Sequence, residues 1–275
     1  MAAIAAAFDA QLLSTHADPD HHRSVFTLAG RPGRLAGAGV HGAREAIARV
    51  DLNAPDGLHP RVGAIDVAPI VYLRDADRGA ACAEALVLAD RLGEELALPV
   101  LLYGLLAGGR TRAELRAGGL AGLADRLAAG AVRPDFGPAT LHRTAGAVLV
   151  AARPPLVAFN VELAPGESVQ KARAIAASVR EGSPEGLPGV RAIGLWLAHR
   201  DLAQVSVNLE DHRATSLAGV VAAIRRHAGV QSAELVGLAP ESAFEGFPED
   251  VPVRNRDTLE RALGRCAGQS PTTAD

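Results

Sequence analysis

The segment Asp56-Gly57-Leu58-His59-Pro60-Arg61-Val62-Gly63 sets a histidine beside an arginine on a loop that leads into a strand expected over Ile65 to Tyr72. Pro60 holds the backbone of His59 extended, and Gly63 permits another group to approach closely. An imidazole of near-neutral pKa in that setting suits general acid/base work, and the adjacent guanidinium suits a carboxylate ligand. Taken alone, a loop histidine is as readily a solvated or capping residue. A second concentration, His16-Ala17-Asp18-Pro19-Asp20-His21-His22-Arg23, gathers three imidazoles and two carboxylates. That set is one a transition metal accepts. Its spacing matches no helix-based ligand pair, so a polar turn built on Asp-Pro-Asp is the preferred reading. Glu234 stands between Ala233 and Leu235 in a strand, where a carboxylate must find a partner or line a pocket. Two glycine-rich loops, Asp135-Phe136-Gly137-Pro138 running on to Thr144-Ala145-Gly146, and Gly186-Leu187-Pro188-Gly189, offer backbone groups to a ligand. Neither leads into a helix as a phosphate loop would, and by themselves they read as turns.

Composition removes several classes of chemistry. Lys171 is the one lysine, in Gln170-Lys171-Ala172-Arg173 on an exposed helix face, so neither a phosphate loop ending in Gly-Lys nor a Schiff-base lysine is available. Charged residues are 21% of the 275 and the formal net charge is −3, which leaves no field to hold a nucleic acid backbone. Cys82 and Cys266 lack the paired spacing of zinc sites or disulfide frameworks, as expected of a protein in a reducing cytoplasm. The apolar start, Met1 to Leu13, carries no positive n-region and is interrupted by Asp9 and Gln11, and the run from Ala145 to Val161 is broken by Arg153 and two prolines. Neither a membrane nor a nucleic acid is expected as a partner.

With 48% hydrophobic residues the chain can bury a large core, and strand-like runs alternate with helical ones, which argues for an α/β or α+β fold. The second half predicts strands over Leu156 to Leu163, Val190 to Leu197, Ala203 to Leu209 and Ser232 to Leu238. Helices are expected over Ser168 to Arg180 and Ser216 to His227. That order is βαββαβ, the ferredoxin-like split-βαβ unit. The first half repeats it imperfectly: Arg23 to Leu28 followed by Leu35-Ala36-Gly37 and a helix to Val50 parallels Gln204 to Leu209 followed by Leu217-Ala218-Gly219. The helix Ala80 to Leu96 running into Leu98-Pro99-Val100 likewise parallels the helix 168 to 180 running into Leu187-Pro188-Gly189-Val190. Two related subdomains follow, residues 1–155 and 156–264, with a small, polar tail over 265–275 expected to be frayed and disordered, and a ligand cleft expected between the subdomains. Before the strand at Leu12 to Thr15 there is room for part of a helix only, so the first subdomain is expected to lack its opening strand.

Seven segments, taken in order, carry a resemblance. They are Asp20-x-x-Arg23-Ser24-Val25-Phe26-Thr27, His59-Pro60-Arg61-x-Gly63-Ala64-x-Asp66-Val67, Leu101-Leu102-Tyr103-Gly104, Asp135-Phe136-Gly137-Pro138, Ala158-Phe159-Asn160-Val161-x-Leu163, Ala203-Gln204-Val205-Ser206-x-Asn208-Leu209 and Glu234-Leu235-Val236-Gly237-Leu238-x-Pro240. From about Leu12 to Ala262 the chain resembles glutamate formiminotransferase, the transferase portion of formiminotransferase-cyclodeaminase. The resemblance implies a two-subdomain, usually dimeric α/β enzyme that moves the formimino group of N-formimino-L-glutamate to N5 of tetrahydrofolate in histidine breakdown. Tetrahydrofolate is then a co-substrate and no metal is implied.

The family's catalytic histidine corresponds to His59 and its polar partner to Glu234, while His16 falls where some members carry a proposed catalytic aspartate. Folate contacts are implied for Gly137, Pro138, Ala139, Thr140, His142, Arg143, Thr144 and Gly146, and for Leu187, Pro188, Gly189, Val190 and Gly194. Attack of the folate nitrogen on an amidine carbon gives a tetrahedral intermediate, so one group must take a proton and return one to the departing amine. His59 suits that work, and Arg61, Arg153 and Arg191 are candidates for the substrate carboxylates. The chain departs from the family pattern in lacking its opening Pro-Asn-Phe-Ser-Glu-Gly segment and in placing His22 where the family has asparagine. Two alternatives stand beside the transferase: a non-catalytic folate-binding relative, and a metal-dependent formiminoglutamate hydrolase built on the His16 to His22 cluster.

Overall fold

The computed structural model describes residues 1–19, 21–53 and 61–267. In chain order the first part contains α1 (Ala2–Ala7), β1 (Gln11–Asp18), β2 (Arg23–Ala29), α2 (Leu35–Ile47), β3 (Val67–Val71), α3 (Arg78–Leu96), β4 (Val100–Leu102), α4 (Arg112–Arg116), α5 (Gly119–Ala128) and β5 (Val148–Arg153). The second contains β6 (Val157–Leu163), α6 (Val169–Val179), β7 (Val190–Leu197), β8 (Leu202–Leu209), α7 (Leu217–Arg225), β9 (Val230–Val236), β10 (Val253–Arg254) and α8 (Leu259–Ala267). These elements divide into two compact units, Met1–Leu12 with Leu28–Pro154, and Leu13–Thr27 with the residues from Pro155 on. The α/β class expected from the sequence is the class observed. Among the described residues no helix is long and apolar enough to cross a membrane.

In the first unit β5 is the middle of a three-stranded sheet, β3-β5-β4, with both pairings parallel. Parallel neighbours need crossover connections, and here α3 lies between β3 and β4 while α4 and α5 lie between β4 and β5. Helices therefore cover both faces, and Val148, Leu149, Val150, Ala151 and Ala152 are all buried. Alternation sends Val148, Val150 and Ala152 into a core with Val40, Leu88 and Leu92, and Leu149 and Ala151 into another with Leu115 and Leu123. A strand buried on both faces reads as an unbroken apolar run, which is why this stretch carries no period in the sequence. The first turn of α2 takes its cap from outside: the Glu84 carboxylate of α3 accepts from the Gly33 amide and, at 2.7 Å, from that of Ala36.

The second unit has the sheet order β10-β9-β6-β8-β7. Strand β6 runs antiparallel to both β8 and β9, β7 runs antiparallel to β8, and the short β10 adds in parallel at the β9 edge. From β6 to β9 the elements follow the expected βαββαβ order, with ends within a few residues of those read from the sequence. Phe159, Val161 and Leu163 of β6 enter one core with Ile175 of α6 and Val220 and Ile224 of α7. Both helices begin on a serine whose hydroxyl accepts from the amide three residues on, Ser168 from Lys171 and Ser216 from Gly219, each at 3.1 Å.

The first half is the imperfect relative of the second that the sequence suggests: its described strands form the parallel sheet and a separate two-stranded sheet of β1 and β2, and residues 13–27 group with the second unit. In the second unit β6 joins β8 on one side to β9 on the other. No strand takes that place among the described residues of the first part, so β1 and β2 pair only with each other. The polar tail expected over 265–275 is helical at its start, and residues 268–275 lie outside the described residues. Helix α8 continues through Arg265 to Ala267, and Arg265 pairs with Asp257 at 2.5 Å.

Candidate active site

Strand β6 alternates strictly, so the face opposite Phe159, Val161 and Leu163 carries Asn160 and Glu162, each only 2% exposed. Register extends this polar face across the sheet. Asn160 stands opposite Ser206 of β8 and Glu234 of β9, Glu162 stands opposite Gln204 and Ser232, and Arg254 of β10 stands opposite Glu234.

Glu162 is the hub. Ser232 Oγ donates to its Oε2 at 2.5 Å, Arg254 grips both its oxygens, through Nη1 to Oε2 at 2.8 Å and through Nη2 to Oε1, and Arg200 Nη1 donates to Oε1. Burial alone would raise the carboxyl, but Arg254, Ser232 and Arg200 outweigh it and hold Glu162 below the usual carboxylate range. Glu234 shares the same cations at longer range, 3.3 Å from Arg254 Nη2 and 3.9 Å from Arg200 Nη2. Asn160 and Asn255 donate to Glu234 at 3.4 and 3.3 Å. Two carboxylates thus face two guanidiniums, and the group as a whole is charge-balanced.

His16 of β1 belongs to the same unit, is 8% exposed, and interacts electrostatically with Glu234. Burial lowers its pKa from the ordinary 6.5, with Arg23 and His21 adding to the lowering and Glu234 and Asp18 opposing it. The ring is therefore neutral near pH 7, and among the described residues its buried Nε2 has no hydrogen-bond partner. Pro19, His21 and His22 of the histidine-rich segment lie in turns. Asp18 Oδ1 accepts the backbone N–H of His21 at 3.0 Å, and His21 Nδ1 lies 2.6 Å from Asp18 Oδ2. Among the described residues no group of three or more His, Cys, Asp or Glu side chains is arranged to hold a metal ion.

In the first unit the structure joins two predicted segments. Gly63 forms an antiparallel bridge with Gly146, Ala64 N donates to Ala145 O at 2.9 Å, and Ala147 N donates to Val62 O at 2.8 Å. A Cβ at Gly63 would run into the Ala147 carbonyl, and one at Gly146, whose φ is +69°, into that of Val62. Half-buried Arg61 therefore lies at the base of the loop that carries His142, Arg143 and Thr144. His142 Nδ1 accepts from the amides of Ala145 and Thr144 at 3.1 and 3.4 Å, while Arg143 is exposed. Asp66 ties the approach down by accepting from Val62 N at 2.8 Å and pairing with Arg116. Upstream in the same segment, Gly137 packs under the Leu98 carbonyl with φ +75°, and Ala139 and Thr140 are exposed beyond Pro138. Arg153 ends β5 with Nη1 donating to Pro154 O at 2.9 Å. His59 lies outside the described residues.

The second predicted loop is bonded into its own unit. Gly189 N donates to Glu181 at 3.0 Å, its carbonyl accepts from Glu210 N at 2.8 Å, and Pro188 O accepts from Thr215 Oγ1 at 2.8 Å. Leu187 packs against the core, Val190 is fully buried, and Gly194 is where the backbone of α6 presses on β7, leaving no room for a Cβ. Arg191 is paired with Glu181 at 3.1 Å and Glu210 at 3.6 Å.

Sequence reasoning did not single out Glu162, Arg200 or Arg254, and it met Gln204 only as part of the Ala203 to Leu209 segment, with no role of its own. The signal present was the alternation itself, Asn160 and Glu162 between apolar residues and Gln204, Ser206 and Asn208 between Ala203, Val205, Val207 and Leu209.

Comparison with known proteins gives a consistent family. Residues 1–153 match the family model for the formiminotransferase domain, N-terminal subdomain, and residues 158–246 that for the formiminotransferase domain. The chain is 37% identical over 246 residues to formimidoyltransferase-cyclodeaminase of Mus musculus, covering 85% of this chain and 45% of that one. It therefore spans about half the length of the formimidoyltransferase-cyclodeaminases it matches. To glutamate formimidoyltransferase of Streptococcus pyogenes it is 36% identical, covering 85% of this chain and 80% of that one, and to that of Thermoplasma acidophilum 33% identical, covering 88% and 82%.

Proposed function

The chain belongs to the formiminotransferase family, and from that premise we propose that it transfers the formimino group of N-formimino-L-glutamate to N5 of tetrahydrofolate. The observation that carries the reading is the buried polar face of β6, on which Glu234 is held by Asn160, Asn255, Arg254 and Arg200. A buried carboxylate fixed in this way is the kind of group that steers developing charge in a transfer reaction.

Attack by N5 on the amidine carbon creates a tetrahedral centre, from which the glutamate nitrogen leaves once it is protonated. His59, by its place in the His-Pro-Arg segment, accepts the proton from N5 and returns one to the departing amine. Glu234, held by Asn160, Asn255 and the two arginines, stabilises the positive charge that N5 acquires as it attacks the neutral amidine. His16 is a second proton acceptor. Arg61 and Arg153 are the candidates for the substrate carboxylates; Arg191, with two carboxylate partners of its own, would have to exchange them. The exposed residues of the Gly137 to Gly146 segment and the Leu187 to Gly194 loop are assigned to folate. Holding both substrates in one site lowers the entropic barrier to their reaction. The reading includes action as a homodimer, in the cytoplasm, in the breakdown of histidine, and without a metal.

The test is formation of 5-formiminotetrahydrofolate from formiminoglutamate and tetrahydrofolate by the purified chain, with His59→Ala in parallel. Turnover that falls at least about a hundredfold in the variant, with the fold retained, is the expected result. Binding of tetrahydrofolate without turnover would instead make this a folate-binding relative, and neither binding nor turnover would contradict the reading outright.

A further inference from the structure

Gln204 lies on β8 with no exposed surface, and among the described residues neither its amide nitrogen nor its amide oxygen has a hydrogen-bond partner. Its position explains why. The cross-strand neighbour is Glu162, whose two oxygens already receive Ser232, Arg200 and both arms of Arg254, and the neighbour on the other side is Leu195. A carboxylate offers about four acceptor positions, so Glu162 has none left for the Gln204 amide. A buried polar group left unpaired is costly, and a fully buried carboxamide with both ends unpaired doubles the cost. The apolar core on the opposite sheet face shows that this strand accepts aliphatic side chains readily, so the polar choice at 204 is not forced by the fold.

We infer that Gln204 is a ligand-contacting residue, and that its carboxamide reads a neutral edge on which a donor and an acceptor stand side by side. The chemistry follows from the group itself. A carboxamide presents an N–H and a C=O in one plane, and its complement is a lactam, a carboxamide or an unprotonated amidine. Charge points the same way: Glu162 and Glu234 are matched by Arg200 and Arg254, so a charged edge here would be uncompensated. On the functional reading above, on which this inference rests, two sources carry such an edge. One is the formimino amidine of the donor, the other the lactam edge of the pteridine ring of the acceptor.

The experiment compares wild-type protein with Gln204→Met, a variant of similar volume without the polar ends. Thermal unfolding is followed without ligand, and binding of formiminoglutamate and of tetrahydrofolate is measured separately by calorimetry. A ligand-reading Gln204 predicts that the variant melts at the same or a higher temperature, because an unpaired buried group has been removed, while one substrate binds roughly tenfold to a hundredfold more weakly. Weakening confined to formiminoglutamate assigns the amidine, and weakening confined to tetrahydrofolate assigns the lactam. A variant that melts several degrees lower, or fails to fold, and a variant that binds both substrates as wild type does, each overturn the inference. Should wild type bind neither substrate, the functional reading fails by itself, and 2-pyridone at millimolar concentration decides the edge. Stabilisation of wild type but not of Gln204→Met upholds it, and equal response or none overturns it.

Discussion

Strand β5 of the first unit and strand β6 of the second are each flanked by neighbours on both sides, yet they divide their side chains differently between the two faces. Around β5 both faces are apolar and both are covered by helices, so the strand holds two cores together. Around β6 one face is apolar against α6 and α7, and the other buries Asn160, Glu162, Gln204 and Glu234. The same degree of burial therefore serves two purposes. On β5 it removes apolar area from water, the dominant favourable term of folding. On β6 half of it takes charged and amide groups out of water, which costs free energy unless they pair, and the pairing is what fixes two arginines and two carboxylates relative to one another.

A carboxylate introduced into each strand tests that contrast and has the largest expected effect. Leu149→Asp, fully buried with Leu115 and Leu123, leaves a charge without a partner and is expected to cost about 4 kcal/mol or more, enough to unfold the unit in urea titrations. Asn160→Asp, as deeply buried but facing Glu234, is expected to share one proton with that carboxylate, because Arg200 and Arg254 already balance Glu162 and Glu234, and so to cost less, about 2 kcal/mol. Equal costs would show that the two buried faces do not differ in the way described.

A smaller effect separates the polar face by pH. His16 titrates below 6.5 in the folded protein, so between that value and 6.5 the unfolded chain binds more protons and stability is lost as pH falls. His212, lowered by burial and by Arg213, contributes in the same window. Glu162 is held below its ordinary 4.5, so its contribution is complete above about pH 4.5 and is lost as pH falls further. Melting temperatures of His16→Gln should therefore be less sensitive to pH as it falls below 6.5, and those of Glu162→Gln less sensitive below 4.5. Parallel curves for wild type and His16→Gln would mean that the imidazole is not held neutral.

The second unit was legible because its strands alternate on one face and its helices open on Ser168 and Ser216, local signals that survive in tertiary structure. Its site was legible only in part. Glu234 stood out as a carboxylate between apolar residues, but Glu162, equally a carboxylate between apolar residues, was passed over. The cations that make sense of it, Arg200 and Arg254, come from 38 and 92 positions away in the chain. No local pattern announces such a pairing. In the first unit less was legible. Among the described residues no strand takes the place that β6 holds in the second unit, so β1 and β2 pair with each other while β3 pairs with β5 in parallel, a pairing between segments far apart in the chain that no local pattern announces. In the histidine-rich segment Asp18 bonds the His21 backbone directly, the local contact expected of a polar turn, while Asp20 lies outside the described residues.

The central claim is that the polar face around β6 carries the chemistry. It is tested most directly by the rate of formimino transfer in Glu234→Gln, a change that keeps the side chain's size and its bonding to Asn160 and Asn255 possible. The account predicts that kcat falls by about a hundredfold or more, while KM for both substrates and the melting temperature stay close to wild type. A folded variant that keeps more than half of the wild-type kcat would contradict it.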